Sequence, residues 1–348
     1  MTVEKKETNK KKTTMSDVAR LANVSQATVS YVINNSARIS PEVVKRVNEA
    51  IQRLGYTPNA MAQNLKKQYS KTIGLLLPTV GNPFYAEIAN GAEEILRKNG
   101  YISILACTNG QTSAENVCIN EFISYNVAGI VVGYSLADKS ILGRLTEMGI
   151  PLIVIDDRPE KPEVSSVEVD NDYGGYIATR HLIEIGCRRI AIVSEPLKKL
   201  PLVQRVTGWE RAIGESKSDG QLMLIPSGPE SGEVLFENGY GIARSLLERG
   251  YDGIFATSDY LALGILRYMI EEKVNIPEKV ALIGYDGIYS TRMSTPSLST
   301  IVQPIREMVD IGISMLLSQI AGERLKTNRS LLPILEVRAS TETQPQQR

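Results

Sequence analysis

The sequence predicts a small all-α head followed by an α/β body of two doubly wound parallel-sheet lobes. Three observations predict it. Residues 16–55 divide into three short amphipathic segments, each with its own start and stop signals. From Lys71 onward, apolar runs alternate with helical stretches. The charge is also divided: residues 1–70 hold 12 lysines and arginines against 5 acids, while the remainder holds 27 against 34. A basic head on an acidic body suggests a polyanionic partner for the head alone, nucleic acid first. The other reading is a solvated lysine tail, since five of those twelve cations lie in the first 12 residues.

Composition narrows the classes further. The 348 residues exceed one ordinary domain of about 150. A chain 43% apolar and 22% charged is a globular mixture. No run approaches the roughly 18 apolar residues that a membrane helix needs. The basic N-terminus has no apolar stretch behind it, so no secretory signal is expected. Cys107, Cys118 and Cys187 are odd in number and far apart, which excludes a disulfide framework and any CxxC metal pair. The lone histidine, His181, leaves little room for histidine-based catalysis or metal binding. The expectation is a reduced, cytoplasmic protein with no metal, cofactor or membrane partner.

In the head, Ser16 and Asp17 suggest a cap and a first-turn acid, and Val18, Leu21 and Ala22 an apolar face. Asn23 suits the left-handed turn that follows. Ser25 can cap a second helix over Gln26–Asn34, with Val29, Val32 and Ile33 as its stripe. Its other face carries Gln26, Ala27, Ser30, Tyr31 and Asn34. Ser40-Pro41-Glu42 starts a third helix that buries Val43, Val44, Val47, Ala50, Ile51 and Leu54, and Gly55 stops it. Two short helices around a tight turn, the second bearing small polar side chains, is helix-turn-helix geometry. A three-helix bundle without a ligand fits the same pattern. The following AMAQNLKK, residues 60–67, reads as a helical segment too short to hold alone or as a solvated linker.

The body offers nine strand candidates: TIGLLLP, YISILAC, AGIVVG, PLIVID, RIAIVS, QLMLIP, GIFAT, VALIGYD and PILEV. Near-continuous apolar strands between amphipathic helices indicate parallel sheets covered on both faces. So many strands suggest two open sheets, with ligands at the strands' carboxyl ends. No phosphate-binding GxxxxGK[ST], strand-bound GxGxxG or nucleophile elbow is present, so an enzyme is not expected.

DVARLANVSQATVSYVIN, ISPEVVKRVNEAIQRLGYTPNAMAQNL, RVTGWERAI, IGYDGIYSTRMSTPSLSTIVQP and the closing EVRAST together resemble the lactose-repressor family of bacterial transcription regulators. The likeness runs from about residue 14 to the C-terminus. It implies a DNA-binding repressor, a homodimer on a palindromic operator, with a body like a periplasmic sugar-binding protein. The implied parts are a basic disordered tail (1–14), a DNA-binding head (15–57), a hinge helix and linker (58–70) and a two-lobed effector-binding and dimerisation body (71–348). Gln26, Ala27 and Tyr31 fall at base-reading positions. Ser25, Thr28, Ser30 and Asn34 fall where the family contacts the DNA backbone or supports the turn. In the hinge, Leu65 matches the residue that wedges into the minor groove, and Ala62 the small residue that lets two hinges approach. Tyr31 departs from the usual arginine, which leaves the operator sequence open.

For the cleft between lobes, the resemblance points to Phe84, Tyr85, Asp156, Arg205, Ser258, Asp259, Asp286 and Gln303 as effector-binding. The implied ligand is a small molecule, a sugar or sugar phosphate, with a nucleobase suiting the same set. Ser258 stands where the family mostly has asparagine. Asp156-Asp157-Arg158 carries one acid more than the usual pattern. Structural readings stay open: a surface ion pair for Arg205, turn or helix caps for Asp286 and Asp259, core packing for Phe84 and Tyr85. Trp209 and His181 read as structural.

Overall fold

The structure is a computed structural model that describes residues 13–34, 38–56, 70–133, 140–159, 164–228, 231–323 and 327–342. The basic N-terminal tail and the hinge, with Ala62 and Leu65, lie outside the described residues. The chain forms two compact units, Met1–Ser70 and Lys71–Arg348.

The first unit holds α1 (Met15–Ala22), α2 (Gln26–Asn34) and α3 (Pro41–Leu54). Val18, Ala19, Ala22, Val29, Val47 and Ala50 form its buried centre. Ala19 takes the place expected for Leu21, which is exposed. The start of α1 also differs from expectation. Thr14, not Ser16, is the N-cap: Asp17 N–H donates to Thr14 Oγ1 and Thr14 N–H to the Asp17 carboxylate, a reciprocal capping box. The acid that was expected to serve the helix dipole also closes the box. Asn23 and Gly55 end α1 and α3 in the left-handed conformation. Ser40 precedes Pro41 in extended backbone but makes no side-chain cap bond.

The second unit contains two six-stranded sheets. The first lobe is built from β1 (Thr72–Leu77), α4 (Pro83–Lys98), β2 (Ile102–Cys107), α5 (Thr112–Ser124), β3 (Gly129–Val132), α6 (Ser140–Glu147), β4 (Leu152–Ile155) and β5 (Ser165–Val169). The chain then crosses into α7 (Asn171–Glu184), β6 (Arg189–Ser194), α8 (Leu200–Gly214), β7 (Asp219–Leu224), α9 (Gly232–Glu248), β8 (Gly253–Ala256), α10 (Asp259–Glu271), β9 (Ala281–Asp286), α11 (Ser290–Met293) and β10 (Ser299–Val302). It returns through α12 (Ile305–Ile320) and β11 (Asn328–Leu331), then crosses once more to β12 (Ile334–Glu336). The orders are β11-β5-β4-β3-β1-β2 and β12-β10-β9-β8-β6-β7. All pairings are parallel except β12 with β10. Three crossings between the lobes therefore follow β5, β10 and β11.

Three strands were absent from the sequence reading: β5, β10 and β11. SSVEV and STIV are too polar to register as apolar runs, yet β5 is buried throughout and most of β10 is too. NRSL is an exposed edge strand. Lobe two shows why the longer runs were legible. Along β6, Ile190 and Ile192 face one core while Ala191 and Val193 face the other. A strand buried on both faces must be apolar at every position.

Candidate functional site

In the head, α2 presents the expected polar face. Thr28 N–H donates to Ser25 Oγ (3.1 Å), so Ser25 caps the helix, and the two hydroxyls lie 2.9 Å apart. Asn34 Nδ2 donates to the Ser30 carbonyl (2.8 Å), which turns both side chains back onto the helix. Ser25, Gln26, Ala27 and Tyr31 are exposed, while Thr28, Ser30 and Asn34 are partly covered. Tyr31 leaves 45% of its surface open, large for an aromatic residue on a three-helix unit and available to a partner.

In the body, carboxyl ends of strands from both lobes converge on one cavity lined by Phe84, Tyr85, Asp156, Arg205, Ser258 and Asp286. The sequence reading missed its further walls, Asn82, Glu195, Lys199, Pro201, Leu202 and Leu235. Strand-end position was the signal available for Glu195. Asn82 caps α4 by accepting from Phe84 N–H (3.0 Å), which fixes the start of the helix that carries Phe84 and Tyr85. These two rings meet edge to face, 5.1 Å apart.

Arg205 is the organising group. It is 5% exposed, and its guanidinium lies 3.6 Å from the centroid of the Tyr285 ring. Nε donates to Asn171 Oδ1 (2.8 Å) and Nη1 to the Thr257 carbonyl (2.6 Å). Asp286 Oδ1 lies 3.8 Å from Nη1. A buried cation is costly unless charge and hydrogen bonds surround it, and these partners supply both. Asn171 stands at the first crossing between lobes, where its Oδ1 also accepts from Tyr285 O–H (3.0 Å). The backbone around Arg205 is tightly packed: a side chain on Gly175 would land on the Arg205 carbonyl, and one on Gly208 on that of Asp172. Glycine at these two positions lets α7 and α8 approach closely enough to aim the guanidinium.

Two carboxylates from opposite lobes accompany Arg205. Asp156 follows β4 and Asp286 ends β9, with φ of 73° and 123°. Left-handed backbone at a residue with a Cβ is strained, and such strain collects at binding sites. Burial pushes Asp156 up to about 7, with Arg205 opposing and Asp286 adding to the rise. Burial likewise pushes Asp286 to about 6, against the pull of Arg205. Asp156 Oδ1 has no hydrogen-bond partner within the protein. Asp286 Oδ1 accepts from Gln303 Nε2 (2.9 Å).

Two of the expected cleft residues do not reach the cavity wall. Asp259 is fully buried. Its Oδ2 accepts from Gly287 and Ile288 N–H (2.7 and 2.8 Å) and its Oδ1 from Thr300 Oγ1 (2.5 Å). Both oxygens are thus spent holding the turn behind Asp286. Gln303 acts on Asp286 from the second crossing between lobes. Ser258 lines the cavity while its Oγ caps α10 by accepting from Leu261 N–H (3.3 Å). Trp209 and His181 pack within lobe two, His181 Nε2 lying 2.9 Å from Thr341 Oγ1.

Among the described residues no group of acids, histidines and cysteines could hold a metal, and no helix is long and apolar enough to cross a membrane. Residues 14–59 match the family described as bacterial regulatory proteins, lacI family, and residues 179–341 the periplasmic binding protein-like domain. The ribose operon repressor of Escherichia coli K12 is 33% identical over 94% of this chain and 99% of its own length. The transcriptional repressor PurR of Vibrio atlanticus is 33% identical over 88% and 92%. A lac repressor dimer solved on operator DNA superposes with a TM-score of 0.82 at 23% identity, covering 96% of this chain and all of that one. A regulator from Enterococcus faecium with bound ribose gives 0.68 at 30% identity, over 77% and 98%. A helix-turn-helix head, a two-lobed ligand-binding body and full-length repressor relatives make this chain a DNA-binding transcription regulator that belongs to the lactose-repressor family.

Proposed function

We propose that the protein is a repressor that binds a palindromic operator as a homodimer and changes its DNA affinity when an aldose sugar occupies the cleft. In this reading residues 15–57 read the DNA, residues 58–70 serve as hinge and residues 71–348 bind effector and dimerise; the body carries out no catalysis. Ser25, Gln26, Ala27, Thr28, Ser30, Tyr31 and Asn34 are the proposed DNA contacts, with Ala62 and Leu65 in the hinge. The observation that carries the effector class is the pair of strained carboxylates, Asp156 and Asp286, flanking Arg205. Adjacent hydroxyls of a sugar can donate to carboxylates and accept from a guanidinium at once, while Phe84 and Tyr85 cover an apolar ring face. Similarity to a ribose operon repressor and to a regulator crystallised with ribose supports a pentose. The carboxylates come from different lobes, so one ligand touching both biases the angle between lobes. The test is a thermal-shift screen of the full chain against aldoses and nucleobases. An aldose that raises the melting temperature and changes operator affinity supports the reading. A response to nucleobases alone contradicts it.

A further inference from the structure

The cleft extends beyond the cavity around Arg205. A second compartment of about 160 Å³ opens outward from the first, which holds about 50 Å³. The two share Glu195, Lys199, Leu202 and Leu235 as walls. Both lobes contribute to the outer space, lobe one through Asn109 and Gly110. Its polar lining otherwise comes from lobe two: Glu195, Lys198, Lys199, Ser227 and Asn238. No aromatic ring lines it, so a second sugar would have no stacking surface there.

The charges are graded along this path. The inner compartment sets Asp156, Asp286 and Glu195 against Arg205 and Lys199. The outer one sets Glu195 against Lys198 and Lys199. Acids thus exceed bases at the floor, and bases exceed acids at the mouth. Hydroxyl donors suit the floor. An anion with several acceptor oxygens suits the mouth, where lysine ammonium groups and amide N–H groups can donate to it.

We propose that the effector is a phosphorylated aldose, its ring against Arg205, Asp156 and Asp286 and its phosphate in the outer compartment beside Lys198, Lys199 and Asn109. This rests on the sugar reading above and decides which sugars. A phosphate there contacts residues of both lobes, so it holds the cleft together at a point farther out than the ring does.

The experiment is calorimetric titration of the full chain with matched pairs: ribose and ribose 5-phosphate, glucose and glucose 6-phosphate. In at least one pair the phosphorylated member binds about tenfold tighter or more. That advantage falls with added salt. It shrinks several-fold in Lys198→Gln, a residue that lines only the outer compartment. Inorganic phosphate alone competes weakly with the phosphorylated sugar and not with the free one. If free sugars bind and their phosphates bind no better, the phosphate assignment falls and the sugar reading stands. If a disaccharide outcompetes both members of each pair, the outer compartment takes a second ring and the assignment falls. If no sugar of either kind binds, the sugar reading falls and takes this one with it.

Discussion

At the scale of single residues, the cleft acids make the sharpest claim. Asp156 stands at about 7 and Asp286 at about 6 in the folded body, against about 3.9 in an unfolded chain. Between those limits the folded state holds protons that the unfolded chain has released. Their contribution to stability is therefore complete below about pH 4 and is lost as pH rises through about 6–7. Asp259, also raised by burial, acts in the same direction. The ligand-free protein should melt at lower temperature at pH 8 than at pH 5.5. Asp156→Asn should flatten that fall and add on the order of 2–4 kcal/mol at pH 8. Thermal denaturation across pH decides it, and a melting temperature that rises over this range would show the acid to be stabilised in its charged form. In the head, Tyr31 cannot make the paired bonds to guanine that arginine makes. Tyr31→Arg should change the preferred base at one symmetric position of each half-site, with about 1–3 kcal/mol of discrimination in a binding-site selection. An unchanged consensus would remove Tyr31 from the reading face. The strand-end acids were legible in the sequence, but their partners were not. Nothing local connects Arg205 with Asn171, 34 positions away, or with Thr257, 52 away, because only the packing of α7 against α8 brings them together.

At the scale of elements, the head and the body were legible to different degrees. The bounds of α2 and α3 followed from spacing and turn residues. The start of α1 did not: two hydroxyls, Thr14 and Ser16, both stand beside Asp17, and only Thr14 has the acid at the third helical position that a reciprocal box requires. Thr14→Ala should therefore lower head stability by about 1 kcal/mol, whereas Ser16→Ala should cost only a few tenths. Hydrogen exchange of the α1 amides in the full chain distinguishes them, and equal effects would return the cap to an open question. In the body, the strands found from sequence are those buried by apolar side chains alone. β5 was missed because its burial is polar. Glu168 on β5 pairs with Arg158, and Ser166 Oγ donates to Asn328 Oδ1 of β11 (3.1 Å). Side chains satisfied by distant partners look like loop residues when read in isolation.

At the scale of the whole molecule, the charge division and the strand count announced two functions on one chain. The sequence alone could not show that both lobes deliver a carboxylate to one arginine, since Asp156 and Asp286 are 130 positions apart. Three crossings join the lobes, and two of them carry residues of the cleft network, Asn171 and Gln303. Ligand contacts are thus built onto the segments about which the lobes would turn. Coupling of ligand to DNA is a free energy between two sites and must be reciprocal. The direct measurement is operator affinity of the full chain, on a sequence selected from random DNA, with and without the sugar found in the binding screen, together with sugar affinity with and without operator. The account predicts that the ligand changes operator affinity by about 5- to 150-fold and that operator changes ligand affinity by the same factor. A ligand that binds the cleft tightly and leaves operator affinity unchanged would contradict it.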